Sequence, residues 1–92
     1  YQPGLVGGHC LPVDPYYLSN IAKKNKFKTN TLLSGRSTNN NMKNYVSNEI
    51  LKCIKKKKLN NKAKILILGI SYKYGVSDLR NSLGLKIFNK IK

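Results

Sequence analysis

A cysteine and an aspartate stand close together near the start of the sequence, directly after a glycine-rich run. Cys10 and Asp14 are four residues apart and follow the segment Gly4–Gly8, which we call the glycine loop. A cysteine thiolate is a nucleophile, and backbone amides that no side chain covers can stabilise the oxyanion that forms when it attacks a carbonyl. A nearby aspartate can accept a proton or orient a water. The pattern predicts either a covalent catalytic site or a small buried thiol beside a carboxylate that caps a helix.

Other features near this cluster favour simpler interpretations. The glycine loop is not a GxGxxG fingerprint and follows no predicted strand, so an ordinary irregular loop remains an alternative. His9 is a poor candidate for the base that activates Cys10, because adjacent side chains tend to point apart. Cys53 lies on an apolar helical stripe, which predicts packing. Two distant cysteines and a single histidine predict neither a disulfide framework nor a metal site.

Two further cations follow an apolar run in the last third of the chain. Lys73 and Arg80 come after residues 64–70, Lys-Ile-Leu-Ile-Leu-Gly-Ile. In open α/β sheets ligands gather at the carboxyl ends of strands, where a lysine or a bidentate arginine can meet a phosphate. The alternative is a pair of surface cations on a strongly basic chain.

Two helices are predicted before this run. Residues 1–13 are rich in glycine and proline and form a loop; Asp14 then caps a helix from Pro15 to about Asn25. The apolar face of this helix holds Tyr17, Leu18, Ile21 and Ala22.

After a polar stretch around Gly35, a second helix is indicated by residues at spacings of three and four: Met42, Tyr45, Val46, Glu49, Ile50, Cys53 and Ile54. Lys55 to Lys58 follow, as a solvated helix end or an anion site.

The apolar run itself predicts a strand buried on both faces, as in parallel sheets. A loop over residues 71–78 precedes a last helix with apolar residues Leu83, Leu85, Ile87, Phe88 and Ile91. A lone parallel strand leaves its backbone groups unpaired, and no second central strand is evident. We therefore predict an α/β fold of which this chain is a fragment.

The charge and hydropathy of the chain limit its partners. Lys and Arg total 18 against 3 for Asp and Glu, a net charge of +15, which attracts nucleic acid, anionic membranes or phosphorylated ligands. Aromatic residues do not interleave with the cations as a stacking platform requires, and no nucleic-acid-binding motif is evident. No apolar stretch of about 18 residues and no secretion signal is present, so we expect no membrane span and a cytoplasmic location.

Three runs together resemble one family. PGLVGGHCLPVDPYYL (3–18) resembles the active-site loop of the UDP-glucose/GDP-mannose dehydrogenase superfamily, and ILGISYKYGVSDLRNS (67–82) resembles the opening of its C-terminal UDP-binding domain. GRSTNNNMKNYV (35–46) resembles the segment that opens the family's long central helix, which pairs subunits. His9 and Val13 stand where UDP-glucose dehydrogenases tend to have Ser and Lys. The chain is here similar to the bacterial enzymes that act on UDP-N-acetylhexosamines.

The resemblance implies an NAD-dependent oxidation of the sugar C6 alcohol to a carboxylate, for capsule or O-antigen synthesis. Cys10 matches the nucleophile, whose thiohemiacetal with the intermediate aldehyde can lose a second hydride and leave a thioester. Asp14 matches an aspartate that assists water and proton transfer. The other correspondences are substrate contacts at Gly4, Leu5, Val6, Gly7, Gly8 and Lys73, a substrate contact across the dimer at Arg36, and a contact in the NAD site at Arg80.

The resemblance also implies a domain organisation. Residues 1–13 form the cysteine loop, residues 14–59 a helical part of the central domain that forms a homodimer, and residues 60–92 the start of a Rossmann-like UDP-binding domain. The family's N-terminal NAD-binding domain is missing, and Asn40 stands where many members carry Asp. We therefore expect the 92 residues alone to be inactive. Alternatives are a UDP-glucose or GDP-mannose dehydrogenase, a basic nucleic-acid-binding module, and a dimerisation piece without catalysis.

Overall fold

Three helices make up the regular structure of this chain. The computed structural model describes residues 4–58 and 63–92. Within them the helices are α1 (Asp14–Lys24), α2 (Asn30–Lys56) and α3 (Leu83–Ile91), and no strand is formed. The predicted loop at the start is confirmed from residue 4 onward. The predicted boundary at residues 59–60 lies outside the described residues.

Helix α1 matches its prediction closely but starts one residue earlier. Asp14 is its first residue, so the prediction that Asp14 caps the helix was wrong; Val13 precedes the helix and no side chain caps it. The Asp14 carboxylate lies in the first turn, where the positive end of the helix dipole favours it. The predicted apolar face remains exposed, with Tyr17 at 67% and Ile21 at 58%. Of the described helices only α2 packs against α1, which leaves that face uncovered.

Helix α2 starts twelve residues before Met42, where apolar periodicity placed its beginning. It spans 27 residues, which gives a rod of about 40 Å at about 1.5 Å per residue. Periodicity detects only an apolar stripe, whereas the first turns of α2 present polar side chains that contact the glycine loop. The resemblance of residues 35–46 to the opening of a central helix came closer to the observed start.

The core lies where α3 packs on α2, as the apolar pattern of α3 predicted. Leu83 and Ile87 are 3% and 6% exposed, and Ser47 on α2 is fully buried. Ser47 satisfies its hydroxyl by donating to a carbonyl one turn back on its own helix, 2.7 Å away.

Ser82 caps α3, because its Oγ accepts the Leu85 N–H at 3.1 Å and donates to the Ile70 carbonyl. This cap ties the start of α3 to the end of the apolar run.

The apolar run over residues 64–70 does not form the predicted strand. Leu66 and Leu68 are 83% and 85% exposed, so burial on both faces is not observed. A strand needs a neighbour to pair its backbone N–H and C=O groups, and the described residues offer none. The predicted α/β class is therefore confirmed only in its helical part.

Helix α2 also differs from its prediction on the side away from α3. Cys53 is exposed, so the prediction that it packs in a core was wrong; no described element covers it. Lys55 to Lys58 are all exposed at the end of α2, as the solvated alternative required. No described helix combines the length and apolar character needed to cross a bilayer.

Candidate functional site

A single amide on α2 holds the glycine loop in place. The Val6 N–H donates to Asn39 Oδ1, and Asn39 Nδ2 donates to the Val6 carbonyl, both at 3.0 Å. One side chain thus satisfies both backbone groups of Val6. Sequence reasoning missed Asn39, since it stands in a run of three asparagines that the sequence does not distinguish. Sequence could have suggested it in one way: a glycine-rich loop needs a side chain that both donates and accepts hydrogen bonds to fix its backbone.

The segment after the apolar run holds the other end of the loop. The Gly8 N–H donates to the Arg80 carbonyl, and Asn81 Nδ2 donates to the Gly8 carbonyl, both at 2.9 Å. The side chain of Tyr72 covers this part of the loop so closely that a Cβ at Gly7 would lie 2.7 Å from Tyr72 Cβ. Gly8 has φ +89°, a conformation that other residues rarely adopt. The two sequence motifs therefore meet, and the contact requires glycine.

An open cavity of about 460 Å³ lies between the glycine loop and this segment. Its lining includes five of the seven predicted substrate contacts, namely Gly4, Leu5, Val6, Gly7 and Lys73. Leu11 and Tyr72 complete the lining. Gly8 is buried and outside it. The glycine loop and the exposed Lys73 thus border one space, and the lysine ammonium suits it to an anionic ligand.

Cys10 and Asp14 lie at the junction between the glycine loop and α1. The Cys10 carbonyl accepts the N–H groups of Val13 and Asp14 at 2.8 and 2.9 Å, so the helix begins directly after the cysteine. Both side chains are exposed, and Cys10 is a free thiol. The alternative of a small buried thiol therefore does not describe Cys10.

Arg80, whose carbonyl holds the glycine loop, has its side chain paired with a carboxylate. Its Nε and Nη2 donate to the Asp78 carboxylate at 2.7–3.1 Å. These bonds and the Arg80 backbone N–H lower the pKa of Asp78 to about 2, so the pair stays ionised near neutral pH. The pKa of Arg80 is raised, chiefly by its hydrogen bonds to Asp78 and by the charge of that carboxylate.

The described residues do not by themselves fit NAD. Arg80 is their one predicted NAD contact, and its guanidinium is occupied by Asp78. No glycine-rich phosphate loop accompanies it at the start of a described helix.

Arg36 shares a cavity with Val6 but with none of the other predicted substrate contacts. It is 8% exposed and lines a different cavity from Lys73. The structure therefore does not bring Arg36 into the space bordered by the glycine loop and Lys73. Its predicted contact across a dimer stays a prediction.

Replacing Asn39 by alanine should loosen the glycine loop. Both hydrogen bonds to Val6 would be lost, leaving a partly buried N–H and carbonyl unpaired, at a cost of about 1–3 kcal/mol in the free energy of unfolding. Urea unfolding of the native protein measures this, with Asn41→Ala as the control. Asn41 is exposed on the same helix. Equal destabilisation by the two substitutions would show that the loop does not depend on Asn39.

Sequence comparison shows which known proteins this chain resembles. Residues 1–41 match the UDP-glucose/GDP-mannose dehydrogenase family, central domain. The resemblance is thereby confirmed for residues 3–18 and for the first part of residues 35–46, which lie within the matched range.

Individual relatives extend the similarity beyond residue 41. The chain is 43% identical to a UDP-N-acetyl-D-glucosamine 6-dehydrogenase of Salmonella typhi, over 89% of this chain and 20% of the relative. It is 38% identical to Protein CapL of Staphylococcus aureus over 100% and 22%, and 36% identical to a UDP-N-acetyl-D-glucosamine 6-dehydrogenase of Pseudomonas aeruginosa over 99% and 22%. The chain thus spans about a fifth of the length of the curated relatives it matches. No solved structure matches it significantly.

Proposed function

We propose that this chain is part of an NAD-dependent 6-dehydrogenase that oxidises the C6 alcohol of a UDP-N-acetylhexosamine to the uronate. The observation that carries the proposal is the joining of two distant motifs. Hydrogen bonds from Gly8 to Arg80 and from Asn81 to Gly8 place the loop that precedes Cys10 against the segment that carries Lys73. The similarity to UDP-N-acetyl-D-glucosamine 6-dehydrogenases supports the same conclusion.

Each residue then has a defined task. The UDP-sugar lies against the glycine loop, where backbone amides and the Lys73 ammonium meet its negative charge. The Cys10 thiolate adds to the C6 aldehyde and forms a thiohemiacetal. Loss of a hydride from this adduct leaves a thioester on Cys10, which water hydrolyses to the carboxylate. Asp14, in the turn that follows Cys10, assists the water and the proton transfers.

NAD, when bound, would accept both hydrides. Because the described residues do not fit NAD, we assign none of its contacts here beyond the prediction for Arg80. The proposal includes a Rossmann-like UDP-binding domain that starts within residues 60–92. It also includes a homodimer formed through α2, a cytoplasmic location, and a role in capsule or O-antigen synthesis.

The substrate class is supported by residues next to the cysteine as well as by the relatives. His9 and Val13 differ from the Ser and Lys typical of UDP-glucose dehydrogenases. UDP-glucose is the alternative substrate.

Protection of Cys10 from alkylation tests the proposal, because Cys53 provides an internal control. Both thiols are free and exposed, so iodoacetamide should modify both in the native protein. We expect UDP-N-acetylglucosamine to slow modification of Cys10, as quantified by peptide mass spectrometry, and to leave Cys53 unchanged. UDP-glucose should protect less. If neither nucleotide sugar protects Cys10, the proposed substrate site is wrong.

A further inference from the structure

Arg36 is a buried cation to which the described part of the chain gives no carboxylate. It is 8% exposed, its Nε has no hydrogen-bond partner there, and its Nη2 donates only a long 3.4 Å bond to the neutral Asn40. The sequence holds three carboxylate side chains, all within the described ranges. Glu49 pairs with Lys52 and Asp78 with Arg80, and none of the three forms an ion pair with Arg36.

The cavity beside Arg36 is positively charged. It measures about 180 Å³, room for several waters at about 30 Å³ each. Lys86 of α3 adds a second cation to its lining, and Asn40 and Asn81 add amides. The rest of the lining is apolar apart from Tyr16, and it includes no carboxylate. The cavity shares only Val6 with the one that Lys73 lines.

These groups match the chemistry of a tetrahedral oxyanion. A guanidinium donates paired hydrogen bonds to phosphate oxygens, a lysine ammonium adds charge, and an asparagine amide nitrogen adds N–H donors. An unpaired buried cation is unfavourable, so a bound anion would stabilise the surrounding fold. We propose that this cavity binds a single oxyanion of phosphate size, at a site distinct from that of the nucleotide sugar.

The position of this anion site gives it a structural effect. Its lining joins α2 through Arg36, α3 through Lys86 and the glycine loop through Val6. The oxyanion would therefore hold α2 and α3 against the glycine loop, which lines the proposed substrate cavity. Because Val6 borders both cavities, anion binding would stabilise the position of the loop that the structure shows.

Inorganic phosphate is the probe for this proposal, used on the native protein at constant ionic strength. We expect calorimetric titration to show saturable binding and the melting temperature to rise with phosphate but not with equivalent chloride. The Nε–H resonance of Arg36 should shift in the same concentration range. Arg36→Met should weaken binding by about 10-fold or more. Lys55→Met removes a cation from the exposed end of the same helix and should leave binding unchanged.

A second variant keeps the test decisive if Arg36→Met does not fold. Asn40→Asp places a carboxylate one turn from Arg36, beside the guanidinium that Asn40 already contacts. It should abolish phosphate binding and raise the melting temperature without phosphate. Equal phosphate responses in Asn40→Asp and the unchanged protein would overturn the proposal. Competitive displacement of phosphate by UDP would overturn the claim of a distinct site, whereas the proposed dehydrogenase function would stand.

Discussion

Under the proposed dehydrogenase function, alanine at position 10 should abolish uronate formation by the native protein, lowering kcat by about 10³-fold or more. Without the Cys10 thiolate the C6 aldehyde has no covalent adduct from which a second hydride can leave, and the thioester cannot form. Formation of NADH and of the uronate, followed together with UDP-N-acetylglucosamine as substrate, measures the effect. Binding of the UDP-sugar should persist, because the glycine loop and Lys73 are unchanged.

The matched control for this substitution is Cys53→Ala. Cys53 is also free and exposed, but it lies on α2 away from the glycine loop. Its replacement should leave kcat within about 2-fold, since surface substitutions of this kind have small effects. A Cys10→Ala enzyme that retained more than a tenth of the original rate would exclude covalent catalysis by this residue.

Gly7→Ala should destabilise the protein and slow the reaction together. The added Cβ would lie 2.7 Å from Tyr72 Cβ and 3.1 Å from the Asn81 carbonyl oxygen, so the backbone must move. Overpacking of this kind costs about 1–3 kcal/mol in the free energy of unfolding. A shift of the loop by about 1 Å would also lower kcat/KM by about 10²-fold, since positioning of the reacting groups depends on it.

Gly35→Ala makes the same chemical change but should stabilise the protein. Gly35 lies inside α2, and its added Cβ would meet nothing within 4 Å. Alanine should therefore stabilise the helix by up to about 1 kcal/mol. Urea unfolding of both variants and steady-state kinetics give the comparison. Destabilisation by Gly35→Ala would contradict the open space around Gly35. Unchanged stability of the Gly7→Ala variant would contradict the close contact between the loop and Tyr72.

The elements that sequence predicted well are those whose signal is local. The dense apolar spacing of α3 and the Asp14–Pro15 start of α1 need only neighbouring residues to be recognised. The start of α2 was placed too late, because its first turns are stabilised by side chains such as Asn39 that bind a loop 33 residues away. The predicted strand over residues 64–70 depends on a neighbour, and no local pattern supplies one.

The candidate site shows the same division. Cys10, Asp14 and Lys73 were predicted from residue type and from resemblance, because side chains of reactive types can be recognised without their surroundings. Asn39 and Asn81 were not predicted, because the sequence around an asparagine does not show whether its side chain binds a distant backbone group or water. Cys53 was misassigned for a related reason: an apolar stripe does not specify whether another element covers it.

The hydrogen bond between Asn81 and Gly8 joins residues 73 positions apart, which has a consequence during synthesis. Ribosomes add about 5–20 residues per second, so Asn81 is made about 4–15 s after Gly8. Through that interval the glycine loop lacks its hydrogen bonds to the Arg80 carbonyl and the Asn81 amide. The loop of a newly made chain can therefore reach its final conformation only after translation has passed residue 81.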